Sequence, residues 1–209
     1  MKALIYKDLI AVWRYCRNYL FICGGFLALS LFIEEYAFLQ IYPLILMGTL
    51  INTLIAYDER DGWDLQVLTM PVSRKQYVTA KYLTGLILQG TTLVLTAAVY
   101  GLGNWMNGTF DWEVFWRDVG LMVLLTAAAP SLILPFIFRN GSEKGRMAYL
   151  IVVGTIFALF TAGSAILVKL GIANIMVELP AAAMAAGLAL ILYPASWALS
   201  VYWYEKREL

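Results

Sequence analysis

Thirteen of the fifteen Lys and Arg residues fall on alternate connections between long apolar runs, and this alternation constrains the chain more than any other feature. Read for apolar stretches, the 209 residues divide into about six segments of bilayer-spanning length. Lys2, Lys7, Arg14 and Arg17 precede the first segment, and Arg60, Arg74, Lys75 and Lys81 separate the second from the third. Arg139, Lys144 and Arg146 separate the fourth from the fifth, and Lys206 and Arg207 follow the sixth. The opposite connections hold only Arg117 and Lys169. Short loops rich in Lys and Arg stay cytoplasmic, so the expectation is an even number of spans with both termini inside.

Composition agrees. A chain that is 62% hydrophobic and 14% charged is no ordinary soluble domain, and six spans would use most of its length. The expected fold is therefore an all-α membrane protein, a single transmembrane domain over residues 1–209. The basic residues are spread by topology and form no patch, which argues against a nucleic-acid partner. Cys16 and Cys23 are expected to be packing residues and not a disulfide or metal pair. The start lacks the compact apolar core and cleavage site of a signal peptide, so the first span is expected to direct insertion.

Residues 1–18 carry an apolar stripe at Ile5, Leu9, Val12, Trp13 and Cys16, with Lys7, Arg14 and Asn18 on the opposite face. That pattern predicts an interfacial helix on the inner leaflet. The spans are expected at about Tyr19 to Ile33, Tyr36 to Tyr57, Tyr82 to Gly103, Val119 to Phe138, Ala148 to Val168, and from Pro180 to the aromatic group Tyr202, Trp203 and Tyr204. Trp105, Trp112 and Trp116 stand where an outer aromatic belt should lie. Residues 169–180 are too apolar for a solvated loop and are expected to return to the outer leaflet.

The spans carry no ionisable residue deep within them, although proton- and sodium-coupled carriers usually keep some. Histidine is absent, which removes the commonest general base and metal ligand. No glycine-rich loop ends in Gly-Lys-Ser/Thr, so ATP cannot be held by a P-loop. Energy for any work must then come from another chain.

Residues 58–81 form the longest polar interior connection. Asp58, Glu59, Asp61 and Asp64 are expected in the first turn of a short helix, where the helix dipole favours acids. Trp63, Val67 and Met70 share one face, and Pro71 ends the helix. Ser73 and Gln76 then form a capping box that starts the helix leading into span three.

Taken together, Lys7-Asp8-Leu9, Glu59 at the end of span two, the run from Leu68 to Arg74 and Lys81 at the start of span three resemble the permease subunit of compact bacterial type-2 ABC exporters. Within that group the chain is similar to permeases of phenol-soluble-modulin-type peptide exporters. The resemblance implies a six-span half-transporter in the bacterial cytoplasmic membrane. It would pair with a second copy or a paralogue and bind two cytoplasmic ATPase subunits, which carry the ATP and Mg²⁺, so the chain itself needs no cofactor and is no enzyme. Residues 1–18 become an elbow helix. Glu59 to Met70 become a coupling helix, with Glu59, Asp61, Trp63, Asp64, Leu65, Leu68, Arg74 and Lys75 as ATPase-facing residues. Spans two and five would line a path for an amphipathic or lipid-like cargo, and Pro43, Gly48, Gly154 and Gly163 mark a possible interface.

Two other classes remain open from the residues alone. A self-contained facilitator would need a polar path, and Gln89, Thr91, Thr92, Thr96, Thr126 and Ser131 offer scattered groups. A lipid phosphotransferase would hold Mg²⁺ through Asp58, Glu59, Asp61 and Asp64, but the residues that should follow Asp61-Gly62 in such enzymes are missing.

Overall fold

The computed structural model describes residues 1–32, 37–145, 147, 150–151 and 181–207, and its regular structure there is helical throughout. The principal helices are α1 (Lys2–Tyr15), α2 (Arg17–Ser30), α3 (Ala37–Arg60), α4 (Trp63–Leu68), α5 (Arg74–Met106), α6 (Trp112–Asn140) and α7 (Ala181–Glu205). Three stretches, Leu39–Arg60, Arg74–Met106 and Trp112–Asn140, are long and apolar enough to cross a membrane. The chain is thus a multi-pass membrane protein. The 14 residues of α2 reach about 21 Å, less than the roughly 30 Å of a bilayer core. The expected fifth span and the outer segment 169–180 lie almost entirely outside the described residues.

Local chemistry sets the helix boundaries. Ser73 accepts the Gln76 backbone N–H while the Gln76 side chain accepts from the Ser73 N–H, so the capping box forms as its spacing predicts. From there α5 runs without a break for 33 residues. Asp111 caps α6 by accepting from the N–H groups of Glu113 and Val114, and Gly141, at φ 86°, ends it in a conformation that favours glycine. Pro43, Pro130, Pro135 and Pro194 sit inside helices, as membrane helices tolerate when neighbours meet the freed carbonyls.

The core gathers Leu50, Ile51 and Leu54 of α3 with Tyr77 and Tyr82 of α5, Ile133, Leu134, Ile137 and Phe138 of α6, and Tyr204 of α7. Lipid removes most of the hydrophobic drive between spans, so close packing and buried hydrogen bonds must hold them together. They are present: the Tyr82 hydroxyl lies 2.7 Å from both Ser196 and Ser200, Ser196 donates to the Ser131 carbonyl at 2.7 Å, and Tyr193 donates to the Tyr82 carbonyl at 2.7 Å. Tyr204, expected in the inner aromatic belt, is instead 2% exposed, because it closes a ring cluster with Tyr77 and Phe138. Cys16 and Cys23 are buried free thiols that pack, and burial pushes the Cys16 thiol above its usual value.

Candidate functional site

Helix α1, the end of α3 and the start of α5 converge on four charges. Lys81 is 1% exposed, and its Nζ donates to Asp8 Oδ1 at 2.7 Å and to Asp58 Oδ2 at 2.6 Å. Lys7 Nζ donates to both oxygens of Asp58, at 2.7 and 2.9 Å, and lies 3.2 Å from Asp8. The hydroxyls of Tyr77 and Thr84 reach the same two carboxylates at 3.5 Å. Two lysines thus face two aspartates, and every carboxylate oxygen accepts at least one hydrogen bond. Taking such charges out of water costs several kcal/mol per ion, and their mutual attraction repays this only with good geometry, so a buried ion pair is weak evidence for stability. Its physical consequence is positional: α1, α3 and α5 are fixed to one another at one point.

The sequence reading of α1 needs correction here. Its buried face is Leu4, Asp8 and Val12, so an acid sits in the middle of the inward stripe. Lys7 is not on a solvated face, because Asp58 and Asp8 draw it inward. Trp13, placed on the inward stripe, is 66% exposed and shares an outer apolar face with Tyr6 and Ile10. Ile5 and Leu9 are half-buried, and Cys16 is fully buried.

Helix α4 rests on this knot. Gly62, at φ 69°, makes the turn between α3 and α4 that a side chain would strain. The half-buried Trp63 then places its ring 4.6 Å from Lys7 Nζ, a cation–π contact that ties α4 to the charge cluster. Val67, at 1% exposure, seats the same side, Leu65 is 55% exposed on the helix, and Met70, expected on the Trp63 face, instead follows the helix end at Leu68 and is 39% exposed.

Asp58 and Glu59 do not open a coupling helix; they lie in the last turns of α3. The dipole disfavours acids at that end, so each needs compensation. Asp58 receives it from the two lysines. Glu59 accepts from the Ser142 N–H at 2.7 Å and pairs with Arg207 at 3.5 Å, joining α3 to the end of α6 and to the chain's C-terminal segment. Arg74 is also used internally: it donates to the carbonyls of Tyr204, Glu205 and Arg207 and so caps α7. Lys75 sits 5.4 Å from the Trp197 ring. Asp61 is exposed and pairs with Arg60 at 3.2 Å. The side chains of Asp64 and Leu68 lie outside the described set, as do Gly154 and Gly163. Pro43 and Gly48 are buried within the chain's own packing. Among the described residues no three acids or cysteines converge as a metal site, and Asp58, Glu59 and Asp61 each have a cationic partner, so the phosphotransferase reading gains no support.

The sequence reading marked Lys7-Asp8 and Lys81 only as points of resemblance and did not bring them together. The available signal was three unusual charges flanking apolar runs, Asp8 within an amphipathic stripe above all.

No curated protein and no solved structure matches the chain. A family model does: that of the ABC-2 family transporter protein, over residues 3–205. With nearly its whole length matched, the chain belongs to the ABC-2 transporter family, as the membrane-spanning permease of an ABC transporter, a part that is generally not an enzyme and works with an ATPase partner.

Proposed function

We propose that this permease crosses the bacterial cytoplasmic membrane six times with both termini inside, pairs with a second copy or a paralogue, and exports an amphipathic or lipid-like cargo. Two ATPase subunits bind from the cytoplasm, and α4 is the element through which they act, with α1 as the elbow helix. In this reading the cargo path lies between the two permease copies, since the apolar faces of one copy offer little polar surface to enclose it. Similarity to phenol-soluble-modulin-type exporters favours an amphipathic peptide among possible cargoes.

The observation that carries the coupling role is the seating of α4. Its inner side is bound to the charge knot through Trp63 and Val67, while Leu65 and Met70 are left exposed. A push on α4 is then delivered to α1, α3 and α5 together. Desolvated apolar anchors of this kind dominate protein contacts, so Leu65 and Met70 are the residues that would enter a groove of the ATPase. Co-purification tests this: the native ATPase should be retained by the wild-type permease and lost from a Leu65→Asp, Met70→Asp variant that still inserts. Retention at the wild-type level by that variant would remove α4 from the docking role.

A further inference from the structure

A cavity of about 630 Å³ opens between α2, α3, α5 and α6 at the end of the helices opposite the charge knot. Its size is within the range of about 300–1,000 Å³ typical of small-ligand sites. Helical spacing builds it. Tyr100, Asn104 and Asn107 recur at intervals of four and three on one face of α5, and Asp118, Leu121 and Leu125 do so on α6. The lining is polar at Tyr100, Asn104 and Asp118 and apolar at Leu121 and Leu125.

Asp118 is the sole acidic or basic residue in the described lining. Its Oδ2 accepts from the Tyr100 hydroxyl at 2.5 Å, and the Tyr100 ring stacks on Phe115, which fixes that hydroxyl in place. Its Oδ1 meets Arg117 Nε at 3.2 Å, but Arg117 is 57% exposed, and exposed ion pairs contribute little. A stronger cation can therefore take that place. Below the cavity the same helix stays polar at Thr96, Thr92 and Gln89, which are 0%, 6% and 3% exposed. Thr92 bonds the Leu88 carbonyl, yet Thr96 Oγ1 and Gln89 Nε2 have no hydrogen-bond partner among the described residues. A buried polar group left unpaired is costly, so the polar groups of this face exceed what the described residues satisfy.

We infer that this cavity binds the cationic head of an amphipathic molecule, an ammonium held by Asp118 with Tyr100 and Asn104 beside it, while the apolar chain lies along Leu121 and Leu125. The amphipathic-cargo reading gives the site its role in transport, but binding is measurable without transport. Trp105, Trp112 and Trp116, at 72%, 64% and 58% exposure, surround this end and place it at the interface depth where such a head resides.

The test is equilibrium binding of radiolabelled dodecylammonium to the permease–ATPase complex in nanodiscs of neutral lipid. Saturable binding is expected, competed by unlabelled alkylammonium and not by dodecyl sulfate. Asp118→Asn should weaken it at least tenfold, or about 1.4 kcal/mol. Leu121→Trp, which fills the cavity without touching the charge, should weaken it as well. Glu113→Gln, which removes a nearby exposed carboxylate, should leave it unchanged. Partitioning without saturation, equal loss in Glu113→Gln, or competition by dodecyl sulfate would overturn the site. If binding behaves as expected but the reconstituted complex moves no amphipath on ATP, the cargo reading fails and the site stands.

Discussion

The two ends of α5 meet opposite demands. At its start, Lys81 is buried against Asp8 and Asp58, and each charge is paired. At its far end, Tyr100 and Asn104 border an open cavity in which one carboxylate is held by a tyrosine and an exposed arginine. Elsewhere in the fold, a Cβ added at Gly145, past the end of α6, would lie 2.6 Å from Ile137 Cα, whereas one added at Gly103 of α5 meets nothing within 4 Å and one at Gly101 would meet the Phe115 ring at 3.2 Å. A transporter driven from the cytoplasm needs a stiff end to receive force and a yielding end to hold and release a ligand. The difference in packing along one helix fits that division.

The largest effect should come from breaking the stiff end. Lys81→Ala leaves Asp8 and Asp58 to share Lys7 alone, and removing one partner of a buried pair costs about 3–5 kcal/mol. Arg117→Ala at the open end should cost less than about 1 kcal/mol. Thermal unfolding of the detergent-solubilised variants checks both, and equal losses would erase the contrast. The quadruple variant Lys7→Met, Lys81→Met, Asp8→Asn, Asp58→Asn sharpens it. Because replacement of a whole buried ion cluster is often nearly neutral, stability should largely return while ATP-driven transport does not.

Next in size is the glycine pair. Gly145→Ala should lose about 1–3 kcal/mol through overpacking against Ile137. Gly103→Ala should be neutral, or gain up to about 1 kcal/mol from helix propensity, since the added methyl meets open space. The same unfolding measurement ranks them, and a destabilised Gly103→Ala would show that the cavity end is tighter than described.

Smaller again is Trp63→Ala. It removes the ring 4.6 Å from Lys7, worth about 0.5–2 kcal/mol, and leaves the ion pairs beneath intact. Insertion and folding should survive, and ATPase stimulation by the permease should fall several-fold. Full stimulation would mean that α4 is seated by Val67 without the cation–π contact.

The local features were the ones readable from the chain. Ser73 and Gln76 are three residues apart, so their capping box needs no tertiary information, and the apolar runs of α3, α5 and α6 declare themselves by length. The knot was hidden because its pairs are separated by 51 and 73 residues, and a sequence shows no partner at that distance. The same blindness misplaced Asp58 and Glu59. The helix dipole favours acids in a first turn, but here they end α3, and distant groups supply the compensation: Lys7, Lys81, the Ser142 N–H and Arg207. Gly62 was the local clue to the break after Asp61. The cavity was half legible, since the spacing of Tyr100, Asn104 and Asn107 shows a polar face but not what stands opposite.

Cys16 and Cys23 are 0% and 6% exposed, so single reporter cysteines can be introduced against a quiet background. The central claim is that the ATPase presses on the outer side of α4 while the inner side is bound to the knot. Site-directed crosslinking in the assembled complex tests it most directly. Leu65→Cys should crosslink to the ATPase in high yield, and Val67→Cys, on the buried side of the same helix, should not. Crosslinking from neither position, or from Val67→Cys in preference to Leu65→Cys, would contradict the account.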